Sequence, residues 1–283
     1  MPQIQENGHK NTARPYQLDA LDKCRKNVAK GVKSQVLMVA TGGGKTFIAS
    51  MVAESVVKKG GRLFFIVDSL ELVDQAAKAF SAAGLGVGVI QGMHEWTDYS
   101  QPVQVATIQT LRSRWARLAL HLMPTVVMID ECHVIHRAHE KIVSECNHKS
   151  IPVIGLSATP FRRGLGNVFD ELVVGATTAD LTRLGYLAPA KCYAPYIPNL
   201  SSVSKKSDGD WQEDALGDFM GAAKIVGDVV KSWKQLGENR QTLVFGCNVA
   251  HSKLLRDAFK SAGVKADHVD GYETDMDVRK QKI

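Results

Sequence analysis

The sequence predicts an α/β fold: a parallel sheet with helices on both faces. Short β-branched or apolar runs alternate with longer segments of helical period, the pattern of strands joined by crossover helices. Two of those runs end in polar motifs, Thr41-Gly42-Gly43-Gly44-Lys45-Thr46 and Asp130-Glu131-Cys132-His133, at the strand ends where open α/β sheets bind ligands. Strands are expected at residues 35–40, 63–67, 103–107, 126–129, 153–156 and, much later, 242–245. Between the first two, residues 46–59 carry Ile48, Met51, Val52 and Val56 at helical spacing. That helix ends in Lys58 and Lys59, where the dipole favours cations, and stops at Gly60-Gly61.

Composition narrows the class further. With 283 residues, 45% hydrophobic and 23% charged, the chain is of ordinary globular type, which excludes disorder of the whole and allows one large domain or two smaller ones. The opening residues are polar, and no apolar run approaches the roughly 18 residues that cross a bilayer, so a cytoplasmic protein is expected. Cys24, Cys132, Cys146, Cys192 and Cys247 are scattered and form no CxxC pair, which argues against a disulfide framework and a zinc ribbon. A formal net charge of +6 is compatible with a polyanionic partner.

There is no internal repeat. The expected organisation is a polar tail at 1–13, a complete α/β unit at 14–188, a linker at 189–221 and a second unit at 222–283. The linker is marked by Pro189, Pro195 and Pro198 and by a polar stretch at 201–210, after which helical period returns near Ala222.

The strand 35–40 runs into the glycine-rich loop, and a helix follows, which is the context a phosphate-binding P-loop requires. Thr41, Gly42, Gly43 and Gly44 let backbone N–H groups turn inward around a phosphate. Lys45 can reach the β- and γ-phosphates of ATP, and the Thr46 hydroxyl can ligate Mg²⁺ at the positive helix end. Val39 stands at the first place of the motif, where the strict pattern has a small residue; a cradle made of backbone should tolerate it.

The buried-strand run 126–129 delivers two carboxylates at its carboxyl end. Asp130 can hold hydrated Mg²⁺ while Glu131 orients and deprotonates the attacking water.

Together with Ser157-Ala158-Thr159-Pro160, these segments resemble motifs I, II and III of superfamily 2 helicases, in the same order and at similar spacing, with Asp-Glu-Cys-His as the DExH version. Arg14-Pro15-Tyr16-Gln17 resembles the upstream adenine-reading segment, residues 67–75 resemble motif Ia, 105–110 motif Ib, and 242–246 motif IV. The Arg-Pro-Tyr-Gln, Ser-Ala-Thr-Pro-Phe-Arg and Leu184-Gly185-Tyr186-Leu187-Ala188-Pro189 segments most resemble the group containing RadD, XPB and type III restriction motor subunits.

The resemblance implies RecA-like domains with ATP between them and nucleic acid across their top. It assigns Arg14 and Gln17 to the nucleotide base, Lys45, Thr46 and Asp130 to phosphate and Mg²⁺, and Glu131 to the catalytic water. His133, Ser157 and Thr159 would couple nucleotide state to domain motion, while Ser69, Thr107, Gln109 and Arg162 would touch nucleic acid, DNA in preference to RNA. It further implies an ATP-dependent DNA helicase or translocase in repair, recombination or replication. The alternatives are the motor of a restriction or defence nuclease, a nucleotide-gated binding module, and an RNA helicase.

Motifs V and VI of the family, the latter bearing an arginine for the γ-phosphate, have no counterpart here, and Asp277-Val278-Arg279 resembles the start of the helix that precedes them. The chain is therefore expected to bind ATP, hydrolyse it slowly and fail to unwind, unless a partner completes the second motor domain.

Two clusters have blander explanations. Cys132, His133, His136, His139, Cys146 and His148 crowd together, but their spacing matches no structural zinc pattern, and His136 and His139 read as partly exposed. Arg112, Arg114 and Arg117 with Trp115 could form a nucleic-acid surface, but a helix packing Leu111, Trp115 and Leu118 inward explains them better. Lys205-Lys206 reads as a solvated stretch.

Overall fold

The computed structural model describes residues 12–92, 94–193, 198–206, 210–272, 278 and 282. They fall into two compact units, divided between Ala190 and Lys191. Most of the expected tail at 1–13, and Asp277 and Arg279 of the last motif-like segment, lie outside the described residues.

The first unit runs α1 (Pro15–Ala29), β1 (Ser34–Val39), α2 (Lys45–Lys58), β2 (Leu63–Val67), α3 (Leu70–Ala82), β3 (Val87–Ile90), β4 (Val103–Thr107), α4 (Ile108–His121), β5 (Val126–Ile129), α5 (Arg137–His148), β6 (Val153–Ser157), β7 (Glu171–Ala176) and α6 (Thr178–Arg183). The seven strands form one sheet in the order β3-β4-β2-β5-β6-β1-β7, and every pairing is parallel.

Alternation along each strand explains why both faces must be covered. Leu63, Phe65 and Val67 point to one face, where they join Leu37, Val39 and Met128 under α1, α2 and α3. Phe64 and Ile66 point to the other and pack with Val127, Ile129, Leu111, Trp115, Ile142 and Val143 from β5, α4 and α5. On α4 the inward reading holds: Leu111, Trp115 and Leu118 are buried, and the Trp115 indole donates to Glu145 Oε2 at 2.7 Å.

The second unit contains α7 (Glu213–Met220), α8 (Ala223–Leu236) and α9 (Val249–Ser261). Val226 and Val230, one helical turn apart, are buried along with Leu255 and Phe259, and Trp233 meets Phe259 edge to face at 5.6 Å.

Three expectations are corrected. Residues 242–245 form no strand, and Leu243 and Phe245 are 71% and 88% exposed. A parallel strand exists only through ladder bonds to a neighbour, and among the described residues of this unit no segment offers one. Residues 189–221 include α7 and a bridge between Lys205 and Trp211, and Lys205-Lys206 is no freely solvated stretch. There Lys205 lies 4.6 Å from the Trp211 ring centre and Lys206 pairs with Glu213, so the lysines are anchored. Strands β3 and β7 were not foreseen; both are sheet edges with an interior glycine, Gly88 and Gly175, which weakens the strand signal.

Candidate functional site

Strand order assembles the site. Because β5, β6 and β1 are neighbours, the Asp130–His133 segment, Ser157 and the glycine-rich loop emerge side by side at their carboxyl ends.

In the loop, Gly42 and Gly44 have φ of 79° and 80°, a left-handed conformation in which any Cβ is strained. A Cβ on Gly43 would stand 2.5 Å from Val39 Cγ1 and 2.9 Å from the Ala40 carbonyl oxygen. The departure at Val39 is thus absorbed by Gly43: the valine side chain takes up space a larger residue at 43 would need. Gly44 is the N-cap of α2, with no side-chain cap and no acid in the first turn, so the helix presents backbone N–H groups suited to an anion. Thr46 is exposed in that first turn.

Across the sheet, Lys45 Nζ meets Glu131 Oε1 at 2.5 Å. Glu131 adopts φ +45°, rare for a residue with a side chain, so its carboxylate is held there at a backbone cost. Asp130 donates its N–H to the Ile66 carbonyl on β2 (2.8 Å), and its Oδ1 accepts from the Glu131 N–H (3.0 Å). Burial, with help from the Glu131 charge, pushes the Asp130 carboxyl above its usual range. Cys132 points inward and is fully buried; burial pushes its thiol up to about 12, so it is packing and no nucleophile.

His133 stands between the acidic box and β6. Its Nδ1 lies 3.0 Å from Ser157 Oγ and 3.3 Å from Glu131 Oε2, and Ser157 Oγ also accepts the Thr159 N–H at 3.0 Å. The three residues expected to couple are therefore in one hydrogen-bonded chain, Thr159 through its backbone.

The amino-terminal segment braces the loop from the other side. Gln17 is buried, its Nε2 donating to the Gly43 carbonyl (3.1 Å) and its Oε1 accepting from the Arg14 N–H (2.9 Å). Tyr16 Oη donates to the same carbonyl at 2.7 Å. Arg14 lies 4.3 Å over the Tyr186 ring, and Leu187 packs where a Cβ on Gly42 would be, only 2.8 Å away. Nothing in the sequence signals that Leu187 meets this loop or that Tyr186 packs on the Arg14 and Tyr16 that brace it, although their segment is conspicuous.

The expected nucleic-acid residues separate. Ser69 caps α3, accepting the Leu72 N–H at 3.3 Å, and exposed Gln109 donates to the Asp68 carbonyl at 3.1 Å. Thr107 is 2% exposed and caps α4, its Oγ1 accepting the Thr110 N–H at 3.2 Å. Arg162 is exposed but donates to the His133 carbonyl at 3.2 Å, tying the turn after β6 to the acidic box.

The reading of His139 is also corrected: it is 1% exposed, because it sits in the first turn of α5 on the face that meets the sheet. Among the described residues no His, Cys, Asp and Glu are grouped to hold a metal as zinc would require, and no helix is long and apolar enough to cross a membrane.

A glycine-rich loop, an acidic box and a serine turn on neighbouring strands of a parallel sheet give this unit the RecA-like architecture of superfamily 2 helicase domains. The chain belongs to the family described as "Type III restriction enzyme, res subunit", whose pattern matches residues 10–162.

Among its relatives, the IRC3 protein of Saccharomyces cerevisiae is 28% identical over 90% of this chain and 40% of its own length. A 51.5 kDa protein of a Lactococcus phage is 27% identical over 81% and 47% respectively. The chain thus spans less than half the length of these relatives. Among solved structures, the ATP-dependent type ISP restriction-modification enzyme LlaBIII bound to DNA shares the fold, with a TM-score of 0.59 at 14% identity over 89% of this chain and 21% of that one.

Proposed function

We propose that the first unit binds ATP with Mg²⁺ at the glycine-rich loop and hydrolyses it in response to nucleic acid, DNA in preference to RNA. The observation that carries this reading is the contact between Lys45 and Glu131, which joins loop and acidic box across three neighbouring strands.

In the proposed cycle, ATP phosphates enter the loop and take Lys45 away from Glu131. The backbone N–H groups at the start of α2 and the Lys45 ammonium hold the β- and γ-phosphate oxygens. Thr46 and Asp130 offer the oxygen ligands that Mg²⁺ takes, and the ion, when bound, neutralises charge on the phosphates. Glu131, freed from Lys45, orients a water and accepts its proton. His133 reports the state of Glu131 to Ser157 and the turn after β6. Arg14 and Gln17 lie beside the loop where the base side of the nucleotide would pass; Ser69, Gln109 and Arg162 face nucleic acid through phosphates, which suits a motor indifferent to sequence.

Turnover by this chain alone is proposed to be slow, because no segment of the sequence resembles the arginine-bearing motif VI that stabilises charge on the γ-phosphate. The DNA preference is supported by the family and by the DNA-bound fold relative, and a place in DNA repair would follow from it.

Equilibrium titration with a fluorescent ATP analogue tests the site. Lys45→Ala removes a charge-assisted contact of about 1.5–3 kcal/mol, so affinity should fall roughly tenfold to hundredfold. Unchanged affinity would remove the loop from the account. Parallel titrations with single-stranded DNA, duplex DNA and RNA rank the partners.

A further inference from the structure

Asp68 has an unusual environment for a carboxylate that no role above employs. It directly follows β2, next to Ser69, and β2 lies between β5, which carries the acidic box, and β4, which leads to Gln109. Its carbonyl accepts from Gln109 Nε2, and the following residue caps α3, so two candidate nucleic-acid residues hang on its backbone. Its side chain turns the other way. Oδ1 is shut off from solvent and has no hydrogen-bond partner, with His139 Nε2 4.0 Å away.

That distance is about 1 Å too long for a hydrogen bond. The chemistry of His139 nevertheless fits one. Its Nδ1 accepts the His136 N–H at 3.1 Å, so in the neutral ring the proton resides on Nε2, facing Asp68. Burial, aided by the neighbouring His136, pushes the imidazole down to about 4, which keeps it neutral, while burial raises the Asp68 carboxyl against the pull of His136 and His133. A buried acceptor without a partner is costly, and a small shift of α5 or of the β2 end would join Asp68 Oδ1 to His139 Nε2. Both neighbours of this pair are parts of the proposed cycle: α5 follows the acidic box, and the β2 end holds Gln109 and α3.

We infer that Asp68 and His139 are positioning residues whose contact closes in one nucleotide state and opens in another, linking the acidic box to the nucleic-acid side of the sheet. This inference rests on the proposed function of the same site. The pair is the two-state element that coupling between two ligands requires.

The test reads coupling, and not either affinity by itself. Binding of a fluorescent oligothymidine is measured on the full chain with and without a non-hydrolysable ATP analogue, and the ratio of the two affinities is taken. The wild-type ratio is expected to be fivefold or more, in the ordinary range for coupled sites. Asp68→Ala and His139→Asn should bring it within twofold of one, with each affinity alone little changed. His139→Asn keeps an acceptor for the His136 N–H but has nothing to offer Asp68, whereas His139→Gln places a donor near Nε2 and should keep the wild-type ratio.

An unchanged ratio in Asp68→Ala and His139→Asn overturns the inference. So does a loss in which melting temperature and both separate affinities fall together, since that marks plain structural damage. A wild-type ratio of one with nucleotide still bound overturns the inference while the ATP site stands; no nucleotide binding at all defeats the site and the inference with it.

Discussion

Glu131→Gln should tighten ATP binding while abolishing hydrolysis. In the structure the Lys45 ammonium is 2.5 Å from Glu131 Oε1, and in the proposed cycle the phosphates must displace that carboxylate to gain the lysine. Two unit charges about 4 Å apart attract by about 4 kcal/mol at an effective dielectric near 20. The Glu131 side chain is 37% exposed, so solvent screening and desolvation leave a net contribution nearer that of an exposed pair, about 1 kcal/mol. Glutamine keeps the shape and loses the charge, which removes this competition and the repulsion between carboxylate and γ-phosphate. The expected result is roughly fivefold tighter binding. The assay is equilibrium titration with a fluorescent ATP analogue in Mg²⁺, beside hydrolysis of ATP itself. Weaker binding of the variant would refute the reasoning, because it would mean that Glu131 helps to hold the nucleotide in the ground state.

Further outcomes follow from burial. Leu111→Ala empties a fully buried position and should cost about 2–5 kcal/mol, a melting temperature lower by roughly 5–15 °C, whereas Leu120→Ala at 77% exposure should leave it unchanged. Gly155→Ala should cost about 1–3 kcal/mol, since its Cβ would stand 2.6 Å from Cys132 Sγ and 3.0 Å from Phe169. Asp130→Asn should be more stable than wild type at neutral pH. The folded-state carboxyl is raised by burial, so wild-type stability declines as pH rises from the ordinary carboxylate value through the raised one, and the two proteins should converge in acid when melting is followed against pH. His139 shows the opposite sign: its folded-state value of about 4 lies below the ordinary 6.5, so the stability tied to its neutral ring is lost as pH falls from about 6.5 towards 4, and His139→Gln should flatten that part of the profile.

Much of this was legible in the sequence wherever local chemistry and long-range structure agree. The strands at 63–67, 103–107 and 126–129 are continuous apolar runs because they are buried on both faces, and the structure places them at those residues. The glycine-rich loop and the acidic box declared themselves because three successive glycines and two adjacent carboxylates directly after apolar runs stand out from the strand pattern. What the sequence hid depends on partners far along the chain. Residues 242–245 have the composition of a strand but, among the described residues, no neighbour to pair with. Thr107 and His139 look like surface groups until the fold shows one capping α4 and the other facing the sheet. Leu187 reaches the glycine-rich loop, and Tyr186 the Arg14 and Tyr16 side chains beside it, only because β7 lies beside β1 and α6 carries the chain back to it.

The measurement closest to the central claim is steady-state ATP hydrolysis by this chain and by Glu131→Gln, without nucleic acid and with single-stranded DNA, duplex DNA or RNA. The account predicts slow turnover by the wild type that rises with DNA more than with RNA and is absent in the variant. Equal rates in the two proteins, or a wild-type rate indifferent to every nucleic acid, would contradict it.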